Sequence, residues 1–184
     1  MKTYRLSPAG RRTSLVLLVG ALLIWTFALW SFASTLKLTY NPTQFWSSLQ
    51  ASLDAGLGVG QVVPALLMLV LIVATPLLIW NLLEEWSAAY TPDDDGLHFE
   101  SLGIVIFCPW SAVTGIRSAD EDGDEPLDEI LFNQDATAHI ANPLLRFLHR
   151  QAYGRRRLPV YAGLEDRADL LSAIRQHTVS VVAM

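Results

Sequence analysis

A membrane α-helical hairpin followed by a small α+β domain is the fold class this sequence predicts, on three observations. Residues 13–36 and 55–83 contain no Asp, Glu, Lys, Arg or His. A helix rises about 1.5 Å per residue and about 20 apolar residues span a hydrocarbon core of roughly 30 Å, so each run is long enough to cross. Beyond residue 86 the apolar period changes from helical to two, the alternation of half-buried strands. The composition agrees, with 17% charged residues against roughly 25% in an ordinary soluble domain. Its 184 residues hold the hairpin and one small domain.

The segment 1–12 carries Lys2, Arg5, Arg11 and Arg12 and no acid, whereas the loop 37–54 has one base and one acid. Lys and Arg in short flanks set orientation, so the first segment is expected on the cytoplasmic side of the cell inner (plasma) membrane. Two crossings, 13–36 and 55–83, then return the following domain to that side. A cleaved signal peptide is the competing reading, because Ser31-Phe32-Ala33 resembles a small-residue cleavage site. The apolar run, however, far exceeds the roughly 7–15 residues of a signal core. Trp25, Trp30, Trp80 and Trp86 are expected near headgroup level, which suits their amphipathic rings. Between the spans, Asn41-Pro42-Thr43 reads as a turn into a short helix with Phe45, Trp46, Leu49 and Leu53 on one side. That stripe lies either on the outer surface or against the hairpin. Gly56 and Gly60 have the spacing of close-packed membrane helices, though they also suit a turn. Pro64 and Pro76 each remove a backbone donor from the second helix and are expected to bend it. Neither span holds an ionisable group, which argues against an ion path, a voltage sensor or a proton relay.

After the spans, Gly96-Leu97-His98-Phe99-Glu100-Ser101-Leu102 alternates as a strand, with Asp93-Asp94-Asp95-Gly96 as the turn before it. Gly103 separates it from Ile104-Val105-Ile106-Phe107, and the two should pair as a hairpin. Further strands are expected at 86–91, 113–118, 129–134, 136–140 and 158–162, a spacing that suggests a small sandwich or barrel. A last amphipathic helix carries Leu164, Ala168, Leu171 and Ile174, with acids near its start and Arg175 and His177 near its end. The tail 179–184 is expected to fray.

Several of these residues carry a resemblance. Tyr90-Thr91-Pro92, Asp95-Gly96-Leu97, Pro109-Trp110-Ser111-Ala112-Val113-Thr114-Gly115-Ile116 and Leu158-Pro159-Val160 follow one another in order and spacing. Residues 86–178 thereby resemble the bacterial membrane-anchored PH-like domain proteins. The resemblance implies a PH-like seven-stranded β-barrel capped by a C-terminal helix. It implies no catalytic residues, because that group shares a fold rather than a reaction, and fold alone does not supply function.

Two charged stretches stand outside this pattern. Residues 118–129 nearly match a twelve-residue EF-hand loop, with Asp120, Asp122, Gly123 and Glu129 in register and Asp124 among the seven carboxylates. Ser118 at the first position, Pro126 at the ninth and the lack of flanking helices favour a solvated loop over a weak divalent-cation site. The stretch 142–157 reads as a basic amphipathic helix, capped by Asn142 with Pro143 at its first position and ended by Gly154. At 100° per residue, Leu144, Leu145, Phe147, Leu148 and Ala152 share one face, and Arg146, His149, Arg150 and Tyr153 the other. Arg155, Arg156 and Arg157 follow. Arg146, His149, Arg150 and Arg155–Arg157 are therefore the candidate contacts to membrane lipids or a partner. In the alternative the apolar face packs on the barrel and the arginines face solvent.

Catalytic chemistry finds little here. His98, His139, His149 and His177 show no metal-ligand spacing, and no phosphate-binding glycine loop or nucleophile elbow occurs. The single cysteine, Cys108, allows no internal disulfide and sits in an apolar run, where a buried inert thiol is expected. No cofactor is implied. Residues 84–184 hold seventeen carboxylates against eight arginines, which disfavours nucleic acid. The leading expectation is a non-enzymatic, membrane-anchored interaction module binding a protein or a lipid headgroup, with a membrane-protein partner or a second copy beside it. An accessory subunit of a larger membrane complex and a cation sensor are the alternatives.

Overall fold

The computed structural model describes residues 2–182 apart from 40, 42, 57 and 119–127, with backbone alone at 179–182. The chain divides into two compact units, one of residues 16–80 and one joining residues up to 15 with 81–184.

The first unit holds most of α1 (Pro8–Thr35), all of α2 (Phe45–Asp54) and most of α3 (Val59–Ser87). Helices α1 and α3 are both long and apolar enough to cross a membrane. Trp25 meets Ile72 and Thr35 meets Gln61, so they run antiparallel. Ala21, Ala28 and Ala33 on α1 and Ala65 and Thr75 on α3 are buried, while the larger Leu, Val and Phe side chains mostly point outward. Small residues let helix backbones approach closely. A Cβ at Gly56 or Gly60 would meet nothing within 4 Å, so that spaced pair makes no close contact here. Helix α3 continues through Pro64 and Pro76. Pro76 has no N–H for the carbonyl of Ile72, four residues back. The indole N–H of Trp25 donates to that carbonyl instead, at 3.2 Å. Trp25 therefore serves the hairpin interior rather than a headgroup layer. Helix α2 buries no residue fully; the Ser52 hydroxyl donates to the Leu36 carbonyl, and Leu49 packs on a cluster of Ala33, Leu36, Leu38 and Ala65.

In the second unit, β1 (Tyr4–Arg5), β2 (Ala89–Pro92), β3 (Gly96–Ser101) and β4 (Ile104–Pro109) form one antiparallel sheet in that order. The strands β5 (Val113–Ser118), β6 (Asp128–Phe132) and β7 (Arg157–Val160) form another, with α4 (Pro143–Tyr153) between β6 and β7 and α5 (Arg167–Val182) closing the chain. The domain is α+β with two open sheets and no closed barrel among the described residues. Alternation puts Leu97, Phe99, Ile104, Ile106 and Cys108 inside and Glu100, Val105 and Phe107 outside. Ile130, Leu158 and Val160 of the second sheet and Leu170 and Ile174 of α5 complete the core. The Tyr90 hydroxyl donates to the Pro159 carbonyl at 2.6 Å and ties β2 to β7.

Three expectations are corrected. The strand expected at 136–140 is a short 3₁₀ turn, Ala136–His139, because the Asp135 carboxylate accepts from the Thr137 N–H and hydroxyl. Such side-chain capping competes with a ladder. The strand expected from 86 begins at Ala89, since α3 persists to Ser87. The tail expected to fray from 179 is helical to Val182. The seventh strand comes instead from Tyr4–Arg5, which pairs with Tyr90 and Ala89. Leu6 bridges Leu164, and the Ser7 N–H donates to the Gly163 carbonyl at 2.9 Å. Gly10 lies so close that a Cβ there would sit 2.6 Å from that same oxygen.

Candidate functional site

Helix α4 is capped as the sequence indicates: the Asn142 side chain accepts from the N–H of Leu144 at 2.9 Å and Pro143 opens the helix. Its rotation is not the expected one. His149, from the polar face, is fully buried, and its Nδ1 and Glu84 Oε1 share a hydrogen bond of 2.5 Å. Glu84 is fully buried too, and it is the first charged residue after the uncharged run 55–83. The rings of Tyr153 and Phe99 lie 5.2 and 6.2 Å from the imidazole. The Tyr153 and Tyr161 hydroxyls are 3.0 Å apart, and burial pushes both phenols up, so they remain neutral donors.

The neighbouring arginines are engaged within the domain. Arg146 donates to the Ile140 carbonyl at 2.5 and 2.9 Å. Arg150 reaches Asp135 Oδ2 at 2.7 Å and Thr137 Oγ1 at 2.6 Å. Burial raises the Asp135 carboxyl, but its hydrogen bonds from Thr137, with Arg150 and Arg155 nearby, outweigh burial and hold it below the usual carboxylate range. The apolar face is divided. Leu145, Leu148 and Ala152 are half-buried, whereas Leu144 and Phe147 are each 61% exposed.

A cleft of about 670 Å³ gathers Arg150, Arg155, Arg156 and Arg157 with Tyr153 and Glu129. Of the six predicted contacts it thus assembles four and leaves out Arg146 and His149. Arg155 and Arg156 are exposed, while Arg157 stands 3.5 Å from Glu129, which also accepts from Arg117 at 2.5 Å. Glu129 is therefore already matched by two guanidiniums rather than offered to a cation. Asp120, Asp122 and Asp124 lie outside the described residues. Among the described residues no three His, Cys, Asp or Glu side chains gather as a metal centre. Family models, curated proteins and solved structures yield no match to this chain. Cys108 is buried, which pushes its thiol up to about 12, so it is a poor nucleophile.

Sequence reasoning missed Glu84 as the partner of His149. Its only signal was position, as the first carboxylate after the apolar run. The apolar face itself was visible, but not its division into an outward pair, Leu144 and Phe147, and half-buried Leu145, Leu148 and Ala152.

Proposed function

We propose that this chain is a non-enzymatic, membrane-anchored interaction module, in which α1 and α3 cross the membrane and hold a PH-like domain against the cytoplasmic headgroup layer. The observation that carries the reading is the buried Glu84–His149 pair. It joins α4 to the last turns of α3, just after the apolar run ends, and α4 carries Leu144 and Phe147 exposed. An apolar helix face at this depth is covered by the boundary between headgroups and acyl chains. Pairing of Tyr4 with Tyr90 supports the same topology, because residues before the first span and after the second then share one side. The four-plus-three arrangement of strands followed by a helix supports the PH-like assignment.

Spin labelling tests the reading on the full chain in liposomes. The buried, weakly acidic thiol of Cys108 leaves an introduced cysteine as the reactive one. A label at Phe147→Cys is expected to collide with dissolved oxygen in preference to a water-soluble nickel chelate. A label at Asp94→Cys, in the turn at the other end of β3, is expected to show the reverse. Equal aqueous accessibility at both positions would exclude contact of α4 with the membrane.

A further inference from the structure

A cleft of about 490 Å³ lies where α1 begins and α3 ends, lined by Arg5, Arg11, Trp86, Ser87, Glu100 and Leu102 among others. Its guanidiniums differ from four others in the domain. Arg117, Arg150, Arg157 and Arg167 each meet a carboxylate. Arg5 and Arg11 are exposed, and neither side chain has an ion pair or hydrogen bond among the described residues. Glu100 lines the same cleft without bonding to either, so the lining keeps a net positive charge.

The depth of the cleft follows from the sequence. Arg11 stands two residues before the uncharged run 13–36 and Trp86 three residues after the run 55–83. At about 1.5 Å per residue both lie roughly 3–5 Å beyond the apolar boundary, which is headgroup depth for helices that cross. The third feature is Leu102. It occupies the two-residue turn between β3 and β4 with φ 44°, followed by Gly103 at φ 80°. Asn or Gly takes that left-handed position at lower cost, so a Leu there holds its side chain at the turn tip against some backbone strain. Leu102 is 40% exposed at the tip.

We propose that this cleft holds the phosphate of an anionic phospholipid from the membrane crossed by α1 and α3. Arg5 and Arg11 supply charge-assisted hydrogen bonds to the phosphate oxygens, a geometry guanidinium matches in bidentate fashion. Trp86 sits at the headgroup level, and Leu102 enters the acyl boundary beside it. The site rests on the reading of α1 and α3 as spans and specifies which lipid chemistry the domain selects.

The test uses the full-length protein, reconstituted in nanodiscs of equal parts phosphatidylglycerol and phosphatidylcholine, with retained lipid counted by native mass spectrometry. Wild type is expected to retain phosphatidylglycerol preferentially. Arg5→Gln and Arg11→Gln are each expected to reduce that preference about fivefold, the effect of removing one basic residue near an anionic surface. Arg175→Gln, at an exposed arginine of α5 outside both clefts, is expected to leave it intact. All three side chains are exposed, so an unchanged unfolding midpoint accompanies each variant. Three results would overturn the site: no preference in wild type, a preference that survives loss of both Arg5 and Arg11, or displacement of the lipid by millimolar inorganic phosphate. Alkaline carbonate extraction separates the two levels of the argument. Protein released by carbonate removes the spanning reading, whereas protein that stays integral but selects no lipid removes the site alone.

Discussion

Glu84 and His149 are both fully buried and 2.5 Å apart, an arrangement whose value depends on both members being present. A buried pair is a weak source of net stability, because desolvation offsets much of the attraction. Stripping either partner is costly, since the other then loses its compensation in a medium that cannot replace it. His149→Leu is expected to destabilise the domain by about 3–5 kcal/mol. Glu84→Gln keeps an acceptor for the imidazole N–H and should cost about 1 kcal/mol. Replacing both by Leu should recover most of the loss seen in the single variant. Denaturant unfolding of the full chain in detergent, followed by tryptophan fluorescence, reads all three. A double variant as unstable as the sum of its singles would show that the pair does not act as a unit.

At the scale of an element, the hairpin solves a problem that its own sequence creates. Pro76 orphans the Ile72 carbonyl inside an apolar helix, and Trp25 repairs the loss from the other helix. Such a carbonyl has no water to turn to if α3 crosses a membrane, so the indole bond fixes the register of α1 against α3. Trp25→Phe keeps the ring and removes the donor, and is expected to weaken the hairpin by about 1–3 kcal/mol. Pro76→Ala restores the intrahelical donor, and on that background Trp25→Phe should cost less than half as much. Unfolding of the four proteins of this cycle checks the coupling; equal effects of Trp25→Phe on both backgrounds would dismiss it. The elements themselves were readable from periodicity: both long helices, the 96–109 hairpin, the caps of α4 and the final helix. The orientation of α4 was not. Its amphipathic pattern is real, but a pattern assigns two faces without saying which one the domain takes. Here Glu84, the Ile140 carbonyl, and Asp135 with Thr137 satisfy His149, Arg146 and Arg150 respectively, so these turn inward and Leu144 and Phe147 turn out. Those partners come from two separate segments, α3 and the loop 135–140, and no local rule brings them together.

Over the whole molecule, the least legible feature is that residues before the first long helix belong to the domain after the second. The segment Tyr4-Arg5-Leu6 is too short to announce a strand, and its partners are Tyr90, Ala89 and Leu164. A two-residue strand contributes little alone; what holds it is the sequel. Ser7 caps α1 by accepting from the Gly10 N–H at 3.0 Å, and the Gly10–Gly163 approach admits no side chain. With the start of α1 fixed this way, Tyr4 and Leu6 are buried and β1 covers the edge of β2, which would otherwise present unpaired backbone groups. One edge of the first sheet is thus covered by the same segment that leads into α1. Deleting residues 2–7 from the full chain should therefore loosen the domain rather than the hairpin. Loss of the Leu6 burial alone removes about 1.5–3 kcal/mol, and the exposed β2 edge adds to it. The expected outcome is a lower unfolding midpoint and faster proteolysis within residues 86–178, with the helical circular-dichroism signal of the hairpin largely kept. Unchanged protection of residues 86–178 would show that the domain is complete without β1.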